Sequence, residues 1–327
     1  MRLLITGGTG FIGARLAGLA RGCGHEIRVT GLVNSPAAAA RRQSLEAVGI
    51  EVALQALDQP LPPELTRDID AVVHLAAAQH EMNVPDEHFR EINLRATKRL
   101  FEAAREAGVG RFVHGSTIGV YGERGGEIDA ATPVGPDNIY GRTKLEAERW
   151  LTAQQDGPSV VVIRIGETYG PGDRRLLKLF RGIAAGRFPL LGRGQNLHHP
   201  IYVDDLCRGL LAAAERPLRG GEVFVLAGPA PVTTNEMVSA VAAAVDRPPP
   251  RLRLPLGPFL AAATVLERAL RPLGVQPPLH RRRMDFFIKS LSFSLDGARH
   301  GLGFEPAVPF AEGARLTAGW YREQELL

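Results

Sequence analysis

The stretch "TGGTGFIG" (6–13) joins a short apolar run, "RLLIT" (2–6), to a segment of helical period (11–24). Its three glycines recur at every third position, at Gly7, Gly10 and Gly13. In such a loop the first glycine allows a tight turn, the second lets backbone approach a pyrophosphate, and the third lets the helix pack on the strand. The N–H groups and dipole of the helix N-terminus then face the phosphates. The stretch therefore predicts a dinucleotide-binding βαβ unit at the start of the chain.

Strand-like and helical stretches alternate through the first half of the chain. Further strand-like stretches lie at 26–33, 50–55, 70–78, 111–117 and 159–166, and helical ones at 36–49, 86–108 and 139–155. This alternation requires crossover connections, so it predicts an α/β fold: a Rossmann-type doubly wound parallel sheet with helices on both faces. After residue 166 the pattern becomes irregular and richer in proline. We expect a dinucleotide-binding domain at 1–165, to which 200–227 returns, and a small mixed α/β substrate-binding lobe at 166–327.

Composition limits the classes of protein to consider. The 327 residues carry a net charge of +4, with 45% hydrophobic and 23% charged residues, which is ordinary for a globular enzyme. No basic tract has interleaved aromatic residues, so we expect no nucleic-acid binding and interpret "HRRR" (280–283) as a solvated face. Cys23 and Cys207 form neither a metal-ligand spacing nor a disulfide framework, and no signal-peptide pattern follows Arg2. We expect a cytoplasmic protein without a bound metal.

The stretch "IYGRTK" (139–144) places Tyr140 and Lys144 four residues apart at the start of a helix. At that spacing two side chains stand on one helix face. Spacing alone leaves two interpretations open, an exposed surface pair or an acid–base pair. The choice depends on the groups that fold opposite them.

Further motifs follow in order along the chain. They are "HLAA" (74–77), "STIGVYG" (116–122), "YGRTK" (140–144), "RIGETYGPGD" (164–173) and "PIYVDDL" (200–206). With the glycine loop, which reads GxxGxxG, they are similar to the extended short-chain dehydrogenase/reductase family over essentially the whole chain. Within it the chain resembles the NAD-dependent epimerase/dehydratase group and its 3β-hydroxysteroid dehydrogenase-like branch. The resemblance implies an NAD(P)-dependent enzyme that transfers hydride at a hydroxyl or ketone group.

The resemblance also implies roles for individual residues. Tyr140 would exchange a proton with the substrate, Lys144 would bond the nicotinamide ribose, and Thr117, with Ser116 as the alternative, would hold the substrate oxygen. The Lys144 ammonium and the positive nicotinamide ring are expected to lower the tyrosine pKa from about 10. Asn93 is expected to hold backbone and a water chain. The residues expected at the cofactor are Gly7, Thr9, Gly10, Phe11, Ile12, Gly13, Asp58, Leu75, Ala76, Ala77, Asn93, Tyr140 and Lys144.

The end of the second predicted strand bears on the choice between NAD and NADP. NAD-selective members of the family usually carry an acidic residue there, whereas this chain has Gly31. No nearby carboxylate would repel a 2′-phosphate, and Arg41 and Arg42 follow within one or two helical turns. The sequence therefore slightly favours NADP(H).

Three types of reaction in the family are candidates for this chain. Ile118 and Gly119 follow Thr117 where the 4,6-dehydratases carry an Asp-Glu pair, so we do not expect dehydration. Nucleotide-sugar epimerases usually clamp the substrate pyrophosphate with an arginine, and His198 stands at that place, with Arg193 nearby but displaced. His198 is therefore an expected substrate contact, and it would bind a pyrophosphate more weakly than an arginine.

The apolar segment 254–270 resembles a segment that flanks a lipophilic substrate in the 3β-hydroxysteroid dehydrogenase-like branch. It also suits weak contact with a membrane surface, or a core helix of the lobe. The sequence thus predicts an oxidoreductase of an apolar, sterol-like or keto-acyl substrate. A nucleotide-sugar epimerase with tightly bound NAD is the alternative, and a non-catalytic dinucleotide sensor is a third. The resemblance also implies a homodimer paired through helices 86–108 and 139–155, with candidate contacts Leu94, Leu145 and Leu151.

Overall fold

A computed structural model describes residues 1–79, 84–270 and 281–327, and within them the side chains of all but 267–270 and 281–283. The predicted basic face at 280–283 therefore lies outside the described side chains. In chain order the strands are β1 (Arg2–Thr6), β2 (Glu26–Thr30), β3 (Glu51–Ala53), β4 (Ala71–His74), β5 (Arg111–Thr117), β6 (Glu127–Ile128), β7 (Ser159–Ile165), β8 (Glu167–Tyr169), β9 (Leu190–Leu191), β10 (Leu197–His198), β11 (Pro200–Tyr202), β12 (Glu222–Leu226), β13 (Val232–Thr233), β14 (Arg253–Leu254) and β15 (Ser292–Phe293).

Helices separate most of these strands. In chain order they are α1 (Phe11–Gly22), α2 (Pro36–Ala47), α3 (Asp86–Arg90), α4 (Ala96–Glu106), α5 (Ile139–Thr152), α6 (Leu177–Ala184), α7 (Val203–Glu215), α8 (Thr234–Ala244), α9 (Leu256–Leu270), α10 (Arg281–Ile288), α11 (Asp296–Leu302) and α12 (Phe310–Glu323). Short 3-10 turns lie at Pro63–Leu65 and Ile118–Val120, and a π-helical turn at Glu91–Arg95 joins α3 to α4.

The central sheet has seven parallel strands in the described chain, in the order β12-β7-β5-β4-β1-β2-β3. Thr6, at the end of β1, lies beside Thr30 on one side and His74 on the other. The strand order reverses between β1 and β4, and a ligand of such a sheet binds outside the carboxyl ends at that point. The predicted doubly wound sheet is thus confirmed. The returning strand expected at 222–227 is β12, which pairs with β7.

Alternate residues of the buried strands supply cores on both faces of the sheet. Ile5 and Val73 belong to a core that includes residues of α1 and α7. Leu4 and Val72 belong to the opposite core, with residues of α4 and α5. Such strands, buried on both sides, read as continuous apolar runs in the sequence, which is why they were predictable.

The helix predicted at 86–108 is interrupted by the π-helical turn at Glu91–Arg95. Within this turn the Asn93 side chain is fully buried and bonds the backbone of Ala78 and the hydroxyl of Thr143. A wider turn inside a helix often accompanies a functional site. The interruption therefore coincides with the inward projection of a polar side chain that the helical period alone does not reveal.

Leu145 and Leu151 lie in the cores of their own chain, 7% and 0% exposed. The expectation that these two leucines contact a partner across a two-fold axis is therefore wrong. They instead hold α5 against the sheet. Leu94 is half-buried and keeps some exposed surface.

The second lobe packs around its own apolar cluster, which joins α6, α8 and α12 and includes Phe180, Val241 and Tyr321. Short two-stranded pairs connect its loops, β8 with β11 and β9 with β14 among them. The segment 254–270 contains α9, whose Ala263 is buried and whose Val265 is 64% exposed. In the described ranges, no helix combines the length and apolar character needed to cross a bilayer.

Candidate active site

A cavity of about 530 Å³ opens at the carboxyl ends of β1, β4, β5 and β7. Its wall is built from the first and second halves of the chain. The lining residues used below are Gly7, Gly10, Phe11, Ile12, Gly13, Ser35, Arg41, Leu75, Ala77, Ser116, Thr117, Ile118, Tyr140, Glu167, Asp173, Arg174 and Arg175. The cavity lies at the switch point of the sheet, where ligands of this architecture bind.

The glycine loop forms a backbone cradle at one end of this cavity. Gly7 has φ +66°, and a Cβ there would stand 2.8 Å from the Ala76 nitrogen. A Cβ at Gly13 would stand 2.4 Å from the Gly7 carbonyl oxygen. Gly10 is the N-cap of α1, so the first N–H groups of that helix face the cavity. These features fit a dinucleotide pyrophosphate, which requires bare backbone and a helix N-terminus.

Thr117 and Tyr140 face each other across the cavity. Thr117 ends β5, and its hydroxyl accepts a hydrogen bond from the Gly119 N–H at 3.0 Å. Burial raises the pKa of Tyr140 to about 12, while the Thr117 hydroxyl and the positive charge of Arg175 act in the opposite direction. The expected lowering of the tyrosine pKa is not found, because desolvation outweighs the favourable contacts.

Lys144 follows Tyr140 by one helical turn on the same face of α5. Its side chain is fully buried, and burial lowers its pKa to about 7. Among the described residues, nothing accepts a hydrogen bond from its Nζ. A buried amine without an acceptor is costly, and the hydroxyls of a nicotinamide ribose are acceptors of the right kind. The site thus fits a nicotinamide dinucleotide at both ends.

Ser116, the alternative to Thr117, is engaged elsewhere. Its hydroxyl donates to Glu148, which forms a buried ion pair with Arg164 at 2.9 Å. Thr117 therefore stays the prediction for the contact with the substrate oxygen. The Ser116–Glu148–Arg164 group lies one turn beyond Lys144 and anchors α5 to β5 and β7.

The neighbourhood of Gly31 explains why that position carries no side chain. A Cβ at Gly31 would stand 2.4 Å from the Thr9 hydroxyl oxygen, which donates to the Leu32 carbonyl at 2.8 Å. Arg41 lines the cavity and donates to the Gly172 carbonyl at 2.9 Å. Arg42 instead pairs with Glu46 at 2.8 Å.

The remaining predicted residues are distributed as follows. Leu75 and Ala77 line the cavity, and the Ala76 N–H donates to the Thr6 hydroxyl at 3.2 Å. Asp58 is exposed in the loop after β3 and is not among the cavity-lining residues of the described chain. Its predicted contact with the adenine stays a prediction.

Comparison with known proteins agrees with this geometry. The model of the NAD dependent epimerase/dehydratase family matches residues 3–227. The chain belongs to this family. By that membership it is an NAD(P)-dependent enzyme of the extended short-chain dehydrogenase/reductase type.

Relatives in the family differ in what they are named for. A dTDP-glucose 4,6-dehydratase of Streptomyces niveus is 30% identical over 99% of this chain and 93% of its own length. A 4-hydroxy-2-methyl-3-oxo-4-farnesyl-3,4-dihydroquinoline-1-oxide ketoreductase of Stigmatella aurantiaca is 31% identical over 96% of this chain and 94% of its own. The crystal structure of DesIV, a dTDP-glucose 4,6-dehydratase from Streptomyces venezuelae, solved with NAD, superposes with a TM-score of 0.78 at 26% identity, covering 99% and 98% of the two chains.

Several wall residues of this epimerase/dehydratase family member were not singled out from its sequence. Glu167, Asp173, Arg174 and Arg175 all come from the loop region after β7. Asp173 is buried and pairs with Arg175 at 3.1 Å. The signal that could have found them is their position directly after the carboxyl end of a central strand, where ligand-binding residues of such sheets collect.

His198 and Arg193 are not among the residues that line the cavity in the described chain. His198 is 4% exposed and stands behind Glu167, with its Nδ1 3.4 Å from the Glu167 carboxylate. Arg193 is exposed in the turn after β9. The predicted contact of His198 with the substrate stays a prediction.

Proposed function

We propose that the enzyme interconverts a ketone and an alcohol on an apolar substrate with a nicotinamide cofactor. The observation that carries the proposal is the presence of Thr117 and Tyr140 together on the wall of the cavity that also holds the glycine cradle. Lys144, buried one helical turn away, supports the same reading. The ketoreductase name of the Stigmatella relative supports a carbonyl substrate with a lipophilic part.

The chemistry follows from the positions of the three side chains. In the reductive direction, the Thr117 hydroxyl donates a hydrogen bond to the substrate carbonyl oxygen. Tyr140 donates its proton to the same oxygen, so the ketone becomes an alcohol and a tyrosinate remains. The bound cofactor supplies the hydride for the carbonyl carbon, or accepts it in the reverse direction. Lys144 would stabilise the tyrosinate by its positive charge, and the tyrosinate would then regain its proton from solvent.

A raised tyrosine pKa suits the reductive direction. With its pKa at about 12, Tyr140 stays protonated at neutral pH and can act as the acid. For oxidation the same group has to lose its proton first, which needs the charge of Lys144 close by.

Dehydration and epimerisation are less well supported. Ile118 and Gly119 follow Thr117 in the 3-10 turn and bring no acid or base to the substrate. Arg193, which was considered as a clamp for the substrate pyrophosphate, is not among the cavity-lining residues of the described chain. A nucleotide-sugar epimerase stays the second candidate, because Arg174 and Arg175 line the cavity and could bind phosphates.

For the cofactor we propose a modest preference for NADP(H). Gly31 places no carboxylate at the end of β2, and the Arg41 guanidinium lines the adenosine side of the cavity together with Ser35. Arg41→Ala should weaken NADP+ binding about tenfold, by loss of a charge-assisted bond, and leave NAD+ binding within about twofold. Arg42→Ala, which removes the neighbouring arginine outside the cavity, is the control. Equal calorimetric affinities of wild type for NAD+ and NADP+ would argue against the preference.

The deciding experiment for the function is hydride transfer from deuterium-labelled NADPH and NADH. The substrates are a 3-ketosteroid, a 3-oxoacyl ester, UDP-glucose and UDP-glucuronic acid. We expect deuterium on the alcohol carbon of one of the two apolar ketones. Interconversion of a UDP-sugar with its epimer, without net consumption of cofactor, would replace this proposal with the epimerase.

The finer expectations about partners and location are also proposals. They are the two-domain division at 165/166, a homodimer, and weak contact of α9 with a membrane surface through its exposed Val265. Cys23 and Cys207 are both free thiols, which suits a reducing compartment such as the cytoplasm. The partner of the cavity is a small molecule.

A further inference from the structure

Glu167 is an acidic residue in the cavity that the chemistry above does not use. It begins β8, two residues beyond Ile165, and Ile165 is the register partner of Thr117. Glu167 and Thr117 therefore lie at the same edge of the sheet, and both line the cavity. The Glu167 side chain is 45% exposed. It stands on the substrate side, because the cofactor cradle lies at the other end, along β1 and β4.

A buried histidine stands behind this carboxylate. The Nδ1 of His198 is 3.4 Å from Oε2 of Glu167, and its Nε2 is 3.0 Å from the Thr234 hydroxyl. The ring packs on Phe286, with 4.7 Å between ring centroids. These contacts hold the imidazole in one orientation and aim its Nδ1 at Glu167.

The hydrogen bonds around Thr234 fix which ring nitrogen carries a proton. The Asn196 amide gives its two hydrogens to the carbonyls of Phe286 and Lys289, at 2.9 and 3.0 Å, so its oxygen is an acceptor. The Thr234 hydroxyl gives its single hydrogen to that oxygen at 2.7 Å. It can then only accept from His198, so Nε2 bears the hydrogen.

This tautomer limits the charge that the wall can carry. A neutral His198 directs a lone pair of Nδ1 toward Glu167 and adds no positive charge. If Nδ1 is also protonated, the imidazolium pairs with the carboxylate, and the sum is neutral. While the Glu167 carboxylate is ionised, the pair of Glu167 and His198 is anionic or neutral in both states, whereas an arginine at this place would be a cation.

We propose that Glu167, held in place by His198, is the residue that excludes diphosphate-bearing substrates and restricts the enzyme to neutral ones. A substrate pyrophosphate at this wall would meet a carboxylate, and like charges in a partly desolvated cavity repel each other. Arg174 and Arg175 of the wall do not reverse this, since Arg175 is already paired with Asp173 at 3.1 Å and the charge of the exposed Arg174 is screened by solvent. The inference rests on the proposed function, because it specifies the substrate of the same site.

The test compares UDP with uridine, which differ by the diphosphate alone. Both are titrated calorimetrically into the protein saturated with NADP+, for wild type, Glu167→Gln and Glu127→Gln. Glu127 is exposed on β6 outside the cavity wall, so its variant has the same loss of charge. Removing the Glu167 charge should tighten UDP binding about tenfold or more and leave uridine within about twofold. Glu127→Gln should resemble wild type.

The role of His198 is tested by a double-mutant cycle in the same assay. His198→Asn should change UDP affinity in the wild-type background and have no further effect in Glu167→Gln, because it acts through that carboxylate. Melting curves check that each variant folds. If His198→Asn does not fold, the Glu167 comparison decides alone.

The outcomes separate this inference from the proposed function. Tight UDP binding by wild type, or equal UDP binding by wild type and Glu167→Gln, including no binding by either, overturns the role of Glu167. Failure to transfer hydride to any neutral ketone counts against the proposed function, and the two binding results still stand by themselves. Failure of NADP+ and NAD+ to bind at all overturns both.

Discussion

Lys144 carries the highest electrostatic cost among the residues of the site. Its amine is fully buried, and Glu148, one turn further along α5, is engaged by Arg164 and Ser116. Desolvation lowers the pKa of Lys144 to about 7, although the charge of Glu148 acts in the opposite direction and raises it. The ribose hydroxyls of a nicotinamide cofactor would therefore supply the acceptor that the Lys144 amine needs. Such a residue favours binding, because part of its desolvation has already occurred.

The free-energy cost of burying the Lys144 amine should appear in the pH dependence of the free energy of unfolding. Its folded pKa lies below the unfolded one, so the unfolded chain binds more protons between pH 7 and 10. The free energy of unfolding of the cofactor-free protein should therefore rise with pH, by up to about 1.4 kcal/mol per unit between pH 7.5 and 8.5. Lys144→Met should remove this slope and stabilise the protein at pH 7. Urea denaturation at several pH values measures both.

The other groups with shifted pKa values act mainly outside this pH range. The pKa of His74 is lowered to about 3 by burial, so its effect falls below pH 6.5, and the raised pKa of Tyr140 acts above pH 10. Burial raises the pKa of the Cys207 thiol, which makes stability fall with rising pH, but only above about pH 8.5. Lys178→Met, which removes an exposed lysine on α6, is the control and should keep the wild-type slope. A slope unchanged by Lys144→Met would show that the lysine is not desolvated in solution.

Tyr140→Phe should lower kcat by about 10²–10⁴-fold and leave cofactor affinity close to wild type, because only the proton donor is lost. The matched control is Tyr169→Phe. Tyr169 is buried outside the cavity wall, and within the described chain its hydroxyl has no hydrogen-bond partner. That variant should keep wild-type kcat. More than about a tenth of wild-type kcat in Tyr140→Phe would remove its assigned role.

At the scale of elements, two glycines of the loop between β1 and α1 have different roles. One is needed for binding of the cofactor, and the other for packing of the helix on the strand. A Cβ at Gly10 would crowd one carbonyl, that of Gly7, at 2.9 Å, whereas one at Gly13 would meet Gly7 at 2.4 Å and the Cα of Gly8 at 2.7 Å. Gly10→Val should thus abolish dinucleotide binding in a folded protein. Gly13→Ala should lower the melting temperature, because helix and strand are forced apart.

Calorimetry with NADP+ and thermal melting distinguish these two effects. Gly18→Ala on α1 is the control, since an added Cβ there meets nothing within 4 Å. It should bind cofactor normally and, by its higher helix propensity, add up to about 1 kcal/mol of stability. Unchanged cofactor affinity in Gly10→Val would mean that the loop is only a turn.

The parts of the structure with a local cause were predictable from the sequence. The sheet and most of its helices follow from apolar periodicity, and the glycine loop follows from backbone sterics. The π-helical turn was missed, because Asn93 is drawn inward by Ala78 and Thr143, which are distant in sequence. Leu145 and Leu151 fit a helix face, but the sequence pattern does not say whether that face meets a partner or its own sheet.

At the scale of the molecule, the site is formed by residues from separate parts of the chain, and no single motif contains all of them. Thr117 and Tyr140 come from the sheet domain, whereas Glu167 and Arg175 come from chain that leaves it after β7. His198 was predicted at the substrate from its motif position, yet the fold puts it behind Glu167. A motif fixes the position of a residue along the chain, and the packing of two lobes decides which side chain reaches the cavity.

The chain should form a homodimer, with a mass of twice 35.3 kDa. If α5 and the region of α3 and α4 pair as expected, the shared surface is polar: Arg95 bonds Glu91 at 2.8 Å, and Arg90 lies 4.0 Å from Glu146. Exposed ion pairs are screened by salt, so association through this face should weaken between roughly 0.05 and 0.5 M NaCl.

Leu94 is the remaining apolar candidate on that face, and it is half-buried. Leu94→Glu should shift the dimer toward monomer, whereas Leu54→Glu, at a leucine 49% exposed elsewhere on the chain, should not. Light scattering at micromolar protein concentration gives the mass in each case. A monomer mass for wild type at low salt would reject the dimer, and a dimer indifferent to both salt and Leu94→Glu would move the interface to another face of the molecule.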